Sequence, residues 1–282
     1  MSVNESSITP QDYESFRVFL EKACGILLGE NKHYLVTSRL NRLMREFQVA
    51  SFADLMRILR EQPRSPLREQ IIDAMTTNET MWFRDTYPFE MLRLTILPEL
   101  AKQPRSGPLR IWSAACSTGQ EPYSISMTVS EFQQANPGAL RGDAQIIATD
   151  ISPSALRIAR AGVYERITVV RGLSEERRNR FFLDHGERWE VKPEIRRRVS
   201  FSEGNLMSSY AALGRFDIIF CRNVLIYFSA DLKRDILGRM AQSLNPNGYL
   251  FLGGSESPTS YSPAYQMVRT PQGVVYRLRD HG

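Results

Sequence analysis

Two short segments hold the residues whose types and spacing could do chemistry. Trp112-Ser113-Ala114-Ala115-Cys116-Ser117-Thr118-Gly119-Gln120-Glu121-Pro122-Tyr123 closes a predicted strand with small residues and opens a predicted helix with an acid. Small residues let the backbone come close to a ligand. A second predicted strand ends in Thr149-Asp150, where a lone carboxylate can accept both hydrogen bonds of a ribose diol. An Asp in that place also serves as the N-cap of a following helix, and both readings stand on sequence alone. With no G-x-G-x-x-G run, no glycine-lined helix N-terminus is offered to a pyrophosphate, which argues against a nicotinamide or flavin dinucleotide. The ligand class that remains contains adenosine without that pyrophosphate. His33, His185 and His281 are scattered, and none falls in a strand-end segment. Cys24, Cys116 and Cys221 are odd in number, far apart and lack C-x-x-C spacing, so free thiols are expected and no metal site is suggested.

The elements that must position these residues come in two styles. Residues 9–84 read as all-helical, with segments at 12–24, 32–47, 51–61 and 66–75; Val36, Leu40, Leu43 and Phe47 recur at helical spacing in the second. A helix over 87–102 leads to the loop Gln103-Pro104-Arg105-Ser106-Gly107-Pro108. Strands at 109–115, 145–151, 199–203, 216–221 and 248–252 then alternate with helices at 121–134, 153–161 and 230–244, the pattern of a mostly parallel, doubly wound sheet. Runs at 265–269 and 274–278 flank Thr270-Pro271-Gln272-Gly273 and predict an antiparallel closing hairpin. The stretch 162–201 breaks the alternation. It reads as a small insertion with a short helix at 174–182 and a β-ribbon formed by 188–191 and 195–201 about Lys192-Pro193. The expected fold class is therefore α/β, with an N-terminal helical domain and linker over 1–85 and a sheet domain over 86–282.

A chain of 282 residues, 42% of them hydrophobic, can bury a sizeable core. There is no run of eighteen apolar residues, and the first dozen residues are polar and acidic, so a cytoplasmic location is expected. The formal charge of +5 favours an acidic partner, and the basic side chains are mostly arginine, which grips carboxylate or phosphate bidentately.

Four motifs, in order, resemble the chemotaxis receptor methyltransferases (the CheR family). They are Thr76-Thr77-Asn78-Glu79-Thr80-Met81-Trp82-Phe83-Arg84, Ala114 through Ser124 of the segment above, Ala148-Thr149-Asp150-Ile151, and Phe220-Cys221-Arg222-Asn223-Val224-Leu225-Ile226-Tyr227-Phe228. The resemblance spans nearly the whole chain and implies a Rossmann-like fold, S-adenosylmethionine as methyl donor with S-adenosylhomocysteine as product, and glutamate side chains of chemoreceptors as acceptors. Cofactor contacts carried over by motif are Asn78, Thr80, Arg84, Glu121, Asp150, Asn205, Leu206, Arg222 and Asn223. Asn78 could instead cap a helix, Arg84 form an ordinary ion pair, and Glu121 merely favour a helix start. Gln120 departs from the family, where a second glutamate often stands. The helix at 32–47 sets Arg39, Arg42 and Arg45 on one polar arc, a solvated face by itself and a receptor-docking face by resemblance. The resemblance further implies recruitment to chemoreceptor arrays, capture of a receptor C-terminal peptide by the inserted subdomain in some members, and no nucleic acid; a monomer is expected.

The implied reaction asks little proton chemistry of the protein. A glutamate carboxylate, with a reference pKa near ~4.3, is already ionised at neutral pH. Orientation then carries the catalysis, and held geometry is worth roughly 7–11 kcal/mol of barrier. Arg84 and Tyr227 are the candidates for aligning the acceptor, although Tyr227 could equally be a core aromatic among Val224, Ile226 and Phe228. Two other readings compete: a nucleic-acid methyltransferase, which the basic charge would serve, and a receptor-binding module that senses cofactor without turnover. The strand-end Arg222-Asn223-Val224-Leu225 is not the Asn/Asp-Pro-Pro-aromatic type used on base amino groups, and the arginine helix lacks stacking aromatics.

Overall fold

The computed structural model describes residues 8–104, 107–140 and 142–279; His281, Arg105 and Ser106 of the predicted loop, and the first seven residues lie outside the described residues. Two compact units are present. One runs to Thr77 and takes in Tyr227–Ser229; the other runs from Asn78 to Ile226 and resumes at Ala230.

The described residues of the first unit form the helices α1 (Pro10–Cys24), α2 (His33–Glu46), α3 (Phe52–Glu61) and α4 (Pro66–Met75). Three of the starts are chemically marked: the side chains of Thr9, Ser51 and Ser65 accept from the backbone amides of Asp12, Asp54 and Arg68. Phe16, Leu20, Val36, Leu40, Leu55 and Ile71 are wholly buried and form its centre. The arc on α2 is less uniform than its spacing predicts. Arg42 and Arg45 are exposed, but Arg39 is half-buried and its Nη1 donates to the carbonyls of Ala74 (2.8 Å) and Thr76 (3.5 Å). Those carbonyls lie at the C-terminal end of α4, where a cation satisfies unpaired acceptors and the helix dipole.

The second unit opens with α5 (Tyr87–Met91), a π-helical turn (Leu92–Ile96) and α6 (Leu97–Ala101), in place of one regular helix. Pro98 lacks the N–H that would close the α-helical ladder there, which is the local reason for the widened turn. The sheet is built from β1 (Leu109–Ala114), β2 (Ala144–Asp150), β6 (Val199–Glu203), β7 (Phe216–Cys221), β8 (Leu244–Leu252), β9 (Tyr265–Thr270) and β10 (Gly273–Leu278), in the order β6-β2-β1-β7-β8-β10-β9. The first five strands run parallel, while β10 is antiparallel to both β8 and β9. Helices α7 (Gln120–Ala135), α8 (Pro153–Ala161) and α12 (Ala230–Ser243) make the crossovers. Every residue of β7 is buried, as a parallel strand covered on both faces requires. Phe220 of β7 stacks on Phe251 of β8 with ring centroids 4.4 Å apart.

The insertion is a second, three-stranded sheet, and its composition corrects the predicted ribbon. Strand β5 (Arg188–Val191) is flanked by β3 (Val163–Glu165) and β4 (Phe182–Asp184), in the order β3-β5-β4. Helices α9 (Arg166–Val170) and α10 (Glu175–Phe181) connect them. The residues expected to complete the ribbon do other things: Pro193 opens a short helix, α11 (Pro193–Arg196), and 199–203 is strand β6 of the main sheet. Lys192-Pro193 is thus a helix start, because Pro fits the first helical position. Strands of three residues are too short to show alternation. Among the described residues no helix is long and apolar enough to cross a membrane.

The Arg39 contacts give an expected outcome. Arg39→Ala should lower the stability of the helical unit by about 1 kcal/mol, whereas Arg42→Ala should change it by less than about 0.5 kcal/mol. Urea unfolding followed by circular dichroism measures both, and equal effects would return Arg39 to the solvated arc.

Candidate functional site

The strand order turns at β1, with β2 and β6 to one side and β7 and β8 to the other. Pairing of Ala114 with Cys221 brings the segments that follow β1 and β7 side by side beyond the strand ends, the place where doubly wound sheets bind ligands. The turn after β1 is strained: Ala115 (φ 58°), Ser117 (φ 51°) and Gly119 (φ 94°) are left-handed. For the two non-glycines this costs about 1–3 kcal/mol each and persists only where neighbours fix it. Here the amide of Cys116 donates to the carbonyl of Thr149 (3.0 Å), that of Ser117 to Asp150 Oδ2 (2.7 Å), and the Ser117 hydroxyl to the carbonyl of Asn78 (2.9 Å). Gly119 has no room for a side chain, since a Cβ would stand 2.9 Å from the Ala159 Cβ.

Asp150 is buried, and it is not the cap of α8; Ser152 is, accepting from the amide of Ala155 (3.1 Å). The Asp150 carboxylate instead spans the strand ends, its Oδ1 taking the amide of Ser152 (2.8 Å) while Oδ2 takes that of Ser117 (2.7 Å). A carboxylate accepts from hydroxyls as it does from these amides. Asn78 does not cap a helix either: its Nδ2 donates to Ser152 Oγ (3.2 Å). Thr80 is half-buried in the same segment.

Across the crevice, Arg222 carries a guanidinium whose side chain is only 1% exposed. Nη1 pairs with Glu121 Oε2 (3.1 Å), and Nη2 bonds Asp85 Oδ2 (2.7 Å) and the carbonyl of Arg84 (2.8 Å), while the buried Nε has no partner among the described residues. Glu121 also accepts from Ser113 Oγ (2.8 Å). Burial pushes the Glu121 carboxyl above its ordinary range; Arg222, the Ser113 hydroxyl and Arg84 pull it back only in part. Arg84 forms no ion pair among the described residues, and its Nη1 reaches the carbonyl of Glu79 at 3.3 Å. Beyond β6, Asn205 accepts the amide of Met207 (2.9 Å) in a side-chain turn, and the carbonyl of the buried Leu206 takes the Tyr210 hydroxyl and Arg239 Nη2 (2.8 Å).

These side chains fit S-adenosylmethionine on their own chemistry. Asp150 offers acceptors for a diol, and Glu121 is an under-compensated carboxylate that an ammonium would bring back toward its ordinary pKa. The turn between them presents small residues and no cluster of cations for phosphate. Asn78, Arg84, Glu121, Asp150, Arg222 and Asn223 thus belong to one end of the sheet unit. Tyr227 and the three arginines of α2 belong to the helical unit, where the carbonyl of the half-buried Tyr227 accepts from the amide of Leu27 (2.9 Å).

Sequence reasoning missed Glu256. Its Oε2 accepts the amides of Asn223 (2.7 Å) and Gly253 (2.8 Å), and its Oε1 accepts that of Ile226 (3.3 Å), tying the loop after β7 to the loop after β8. Asn223 is left-handed (φ 57°) within this clamp. The available signal was an acid following Gly253-Gly254-Ser255 just past a strand. Gly253 is constrained too, because a Cβ would lie 2.7 Å from both Asn223 Nδ2 and Glu256 Oε2. Asp85 and Ser113, which complete the Arg222 and Glu121 contacts, were also missed; each gains its role from a partner distant in sequence.

Known proteins match along nearly the entire chain. Residues 11–76 match the family model described as CheR methyltransferase, all-alpha domain, and residues 78–274 the model described as CheR methyltransferase, SAM binding domain. The chain is 56% identical over 269 residues to chemotaxis protein methyltransferase Cher2 of Pseudomonas putida, covering 95% of this chain and 98% of that protein. It is equally 56% identical to chemotaxis protein methyltransferase 1 of Pseudomonas aeruginosa, with the same coverage of 95% and 98%. The chemotaxis protein methyltransferase of Vibrio parahaemolyticus is 53% identical over 274 residues, 97% of this chain and 98% of that one.

The Glu256 clamp makes a local prediction. Glu256→Gln turns one acceptor oxygen into a donor facing amides, so stability should fall by about 1–3 kcal/mol. Hydrogen exchange should quicken at Asn223 and Gly253 and stay unchanged at Ser117. Unaltered exchange at Asn223 and Gly253 would remove Glu256 from this role.

Proposed function

Because this chain belongs to the CheR methyltransferase family and is a methyltransferase that uses S-adenosylmethionine, we propose that it esterifies glutamate side chains on the cytoplasmic helices of chemoreceptors, within receptor arrays. The observation that carries this reading is the acid pair at the strand ends, Glu121 held by Arg222 and Asp150 held by two backbone amides, with no histidine among them. An amino or hydroxyl acceptor gives up a proton as it is methylated and so calls for a general base. A carboxylate acceptor needs none.

The methyl donor, when bound, supplies a methyl group on positively charged sulfur. In this reading Asp150 takes the ribose hydroxyls, Glu121 the ammonium, and Asn78, Thr80, Asn205, Leu206 and Asn223 line the remaining contacts. Arg222, whose Nη atoms are occupied by protein acceptors, acts by fixing Glu121 and the Arg84 backbone. Arg84 orients the acceptor carboxylate. A close bidentate grip would localise the acceptor's charge and weaken it as a nucleophile, so the arginine is an aligner. Tyr227 shares that alignment. An acceptor oxygen forms the new bond to carbon as the carbon–sulfur bond breaks, the electron pair leaves with sulfur, and no proton moves. The exposed Arg42 and Arg45 meet the acidic receptor helices, and Arg39 supports them from the end of α4. The outer strands β3 and β4 of the small sheet are edges to which a receptor C-terminal peptide could add as a further strand.

The test is transfer of labelled methyl from the donor into receptor-containing membranes and, in parallel, into RNA, followed by alkali. Alkali-labile label released as methanol from the receptors, and none in RNA, is the expected result; stable label in RNA would overturn the reading. Arg42→Glu with Arg45→Glu should cut receptor methylation by about tenfold, less so at high salt, without changing donor affinity. Tyr227→Phe should lower kcat while calorimetric donor affinity stays within about twofold, and an equal loss in both would take Tyr227 out of the alignment role.

A further inference from the structure

The strained turn that leads from β1 into α7 is clamped from several sides, and one clamp comes from the inserted three-stranded sheet. The hydroxyl of Tyr164, in β3, donates to the carbonyl of Thr118 at 2.7 Å. The other clamps, at Cys116 and Ser117, act on the first half of the turn. Thr118 and Gly119 form the second half, which delivers Glu121 to the first turn of α7. Thr118 Oγ1 donates to its near neighbour Gln120 Oε1 (2.7 Å), and Tyr164 is the only side chain distant in sequence that bonds Thr118 among the described residues. The fit is close on the next residue as well, since a Cβ on Gly119 would stand 3.0 Å from the same hydroxyl.

Tyr164 also braces the other strip of the site. Its ring packs edge-on against Trp82, with centroids 4.9 Å apart and planes at 81°. Trp82 lies between Thr80 and Arg84, in the segment that begins with Asn78. On its own strand, Tyr164 pairs with Trp189 of β5, so its position is set by the small sheet. The residue is 4% exposed, and burial holds its phenol well above the ordinary range, so the hydroxyl stays a donor.

We propose that Tyr164 is a positioning residue for the donor-binding turn, through which the inserted sheet sets the affinity of the protein for S-adenosylmethionine. It does not touch the reacting atoms. It holds the Thr118 carbonyl, and with it the entry of α7 and the Glu121 carboxylate, in the geometry the donor requires. This rests on the reading that residues 115–121 and Asp150 line the donor pocket.

The experiment is calorimetric titration of the full chain with S-adenosylmethionine and S-adenosylhomocysteine, with steady-state methylation of a receptor fragment alongside. Tyr164→Phe keeps the ring against Trp82 and removes only the hydroxyl. Its Kd for both ligands and its KM for the donor should rise about three- to tenfold, the scale of one buried hydrogen bond, while kcat and the receptor KM stay within about twofold. Tyr265→Phe is the control: its buried hydroxyl donates to the carbonyl of Leu237 (2.9 Å), away from the turn, so it should lose thermal stability without losing affinity. An unchanged Kd in Tyr164→Phe, or the same affinity loss in Tyr265→Phe, overturns the proposal. Asp150→Ala separates the two levels: if the parent chain fails to bind or this variant binds as the parent does, the pocket reading itself falls, and the role of Tyr164 falls with it.

Discussion

The buried guanidinium of Arg222 is the constraint on which the ligand end of the sheet depends. An arginine at 1% side-chain exposure is tolerable only with partners, and losing one partner of a buried pair costs about 3–5 kcal/mol. Its partners come from two places: Glu121 from the helix after β1, and Asp85 with the neighbouring Arg84 carbonyl from the segment that opens the sheet unit. The need to satisfy one charge therefore fixes the relative position of three chain segments distant in sequence. Asp85 is itself left-handed (φ 65°), a conformation unusual for a side-chain-bearing residue and retained here by that ion pair.

Glu121 and Asp150 are both acids in a low-dielectric setting, and they are stabilised by different means. Asp150 accepts two backbone amides, which tie it to the turn after β1 and to the start of α8. Glu121 relies on Arg222 and a serine hydroxyl, and burial still outweighs them. Asp150 is consequently part of the scaffold as well as an acceptor, whereas Glu121 is an acid whose charge asks for a further cation. An ammonium-bearing ligand answers that demand more directly than a phosphate-bearing one, and this agrees with the missing glycine-rich pyrophosphate turn.

The main sheet was legible because its physics is local. Strands such as β7, which is apolar but for Asp217, alternate with amphipathic helices, so both the class and the switch point follow from the pattern. The motifs around Asn78, Glu121, Asp150 and Arg222 were legible through resemblance, not spacing. What escaped were features decided by distant partners. Strands β3 and β4 have three residues each and exist because β5 pairs with them. Pro193 looks like a turn and acts as a helix start. Arg39 shares an arc with Arg42 and Arg45 by helical geometry, yet the carbonyls at the end of α4 claim it. Glu256 reads as an ordinary loop acid until three amides converge on it.

The absence of proton transfer in the proposed reaction explains how effort is distributed over the chain. A donor methyl on sulfonium and an ionised carboxylate are both reactive partners already, so rate must come from holding them in line. That requirement favours rigid, buried construction around the donor, and the strained turn with its clamps from Thr149, Asp150, Asn78 and Tyr164 is such a construction. The same lack of a demanding catalytic group leaves little selectivity in the chemistry itself, because any accessible carboxylate could in principle accept. Discrimination between acceptors must then reside in docking. In the proposed function the exposed arginines of α2 supply charge for it, and the outer strands of the small sheet supply strand pairing.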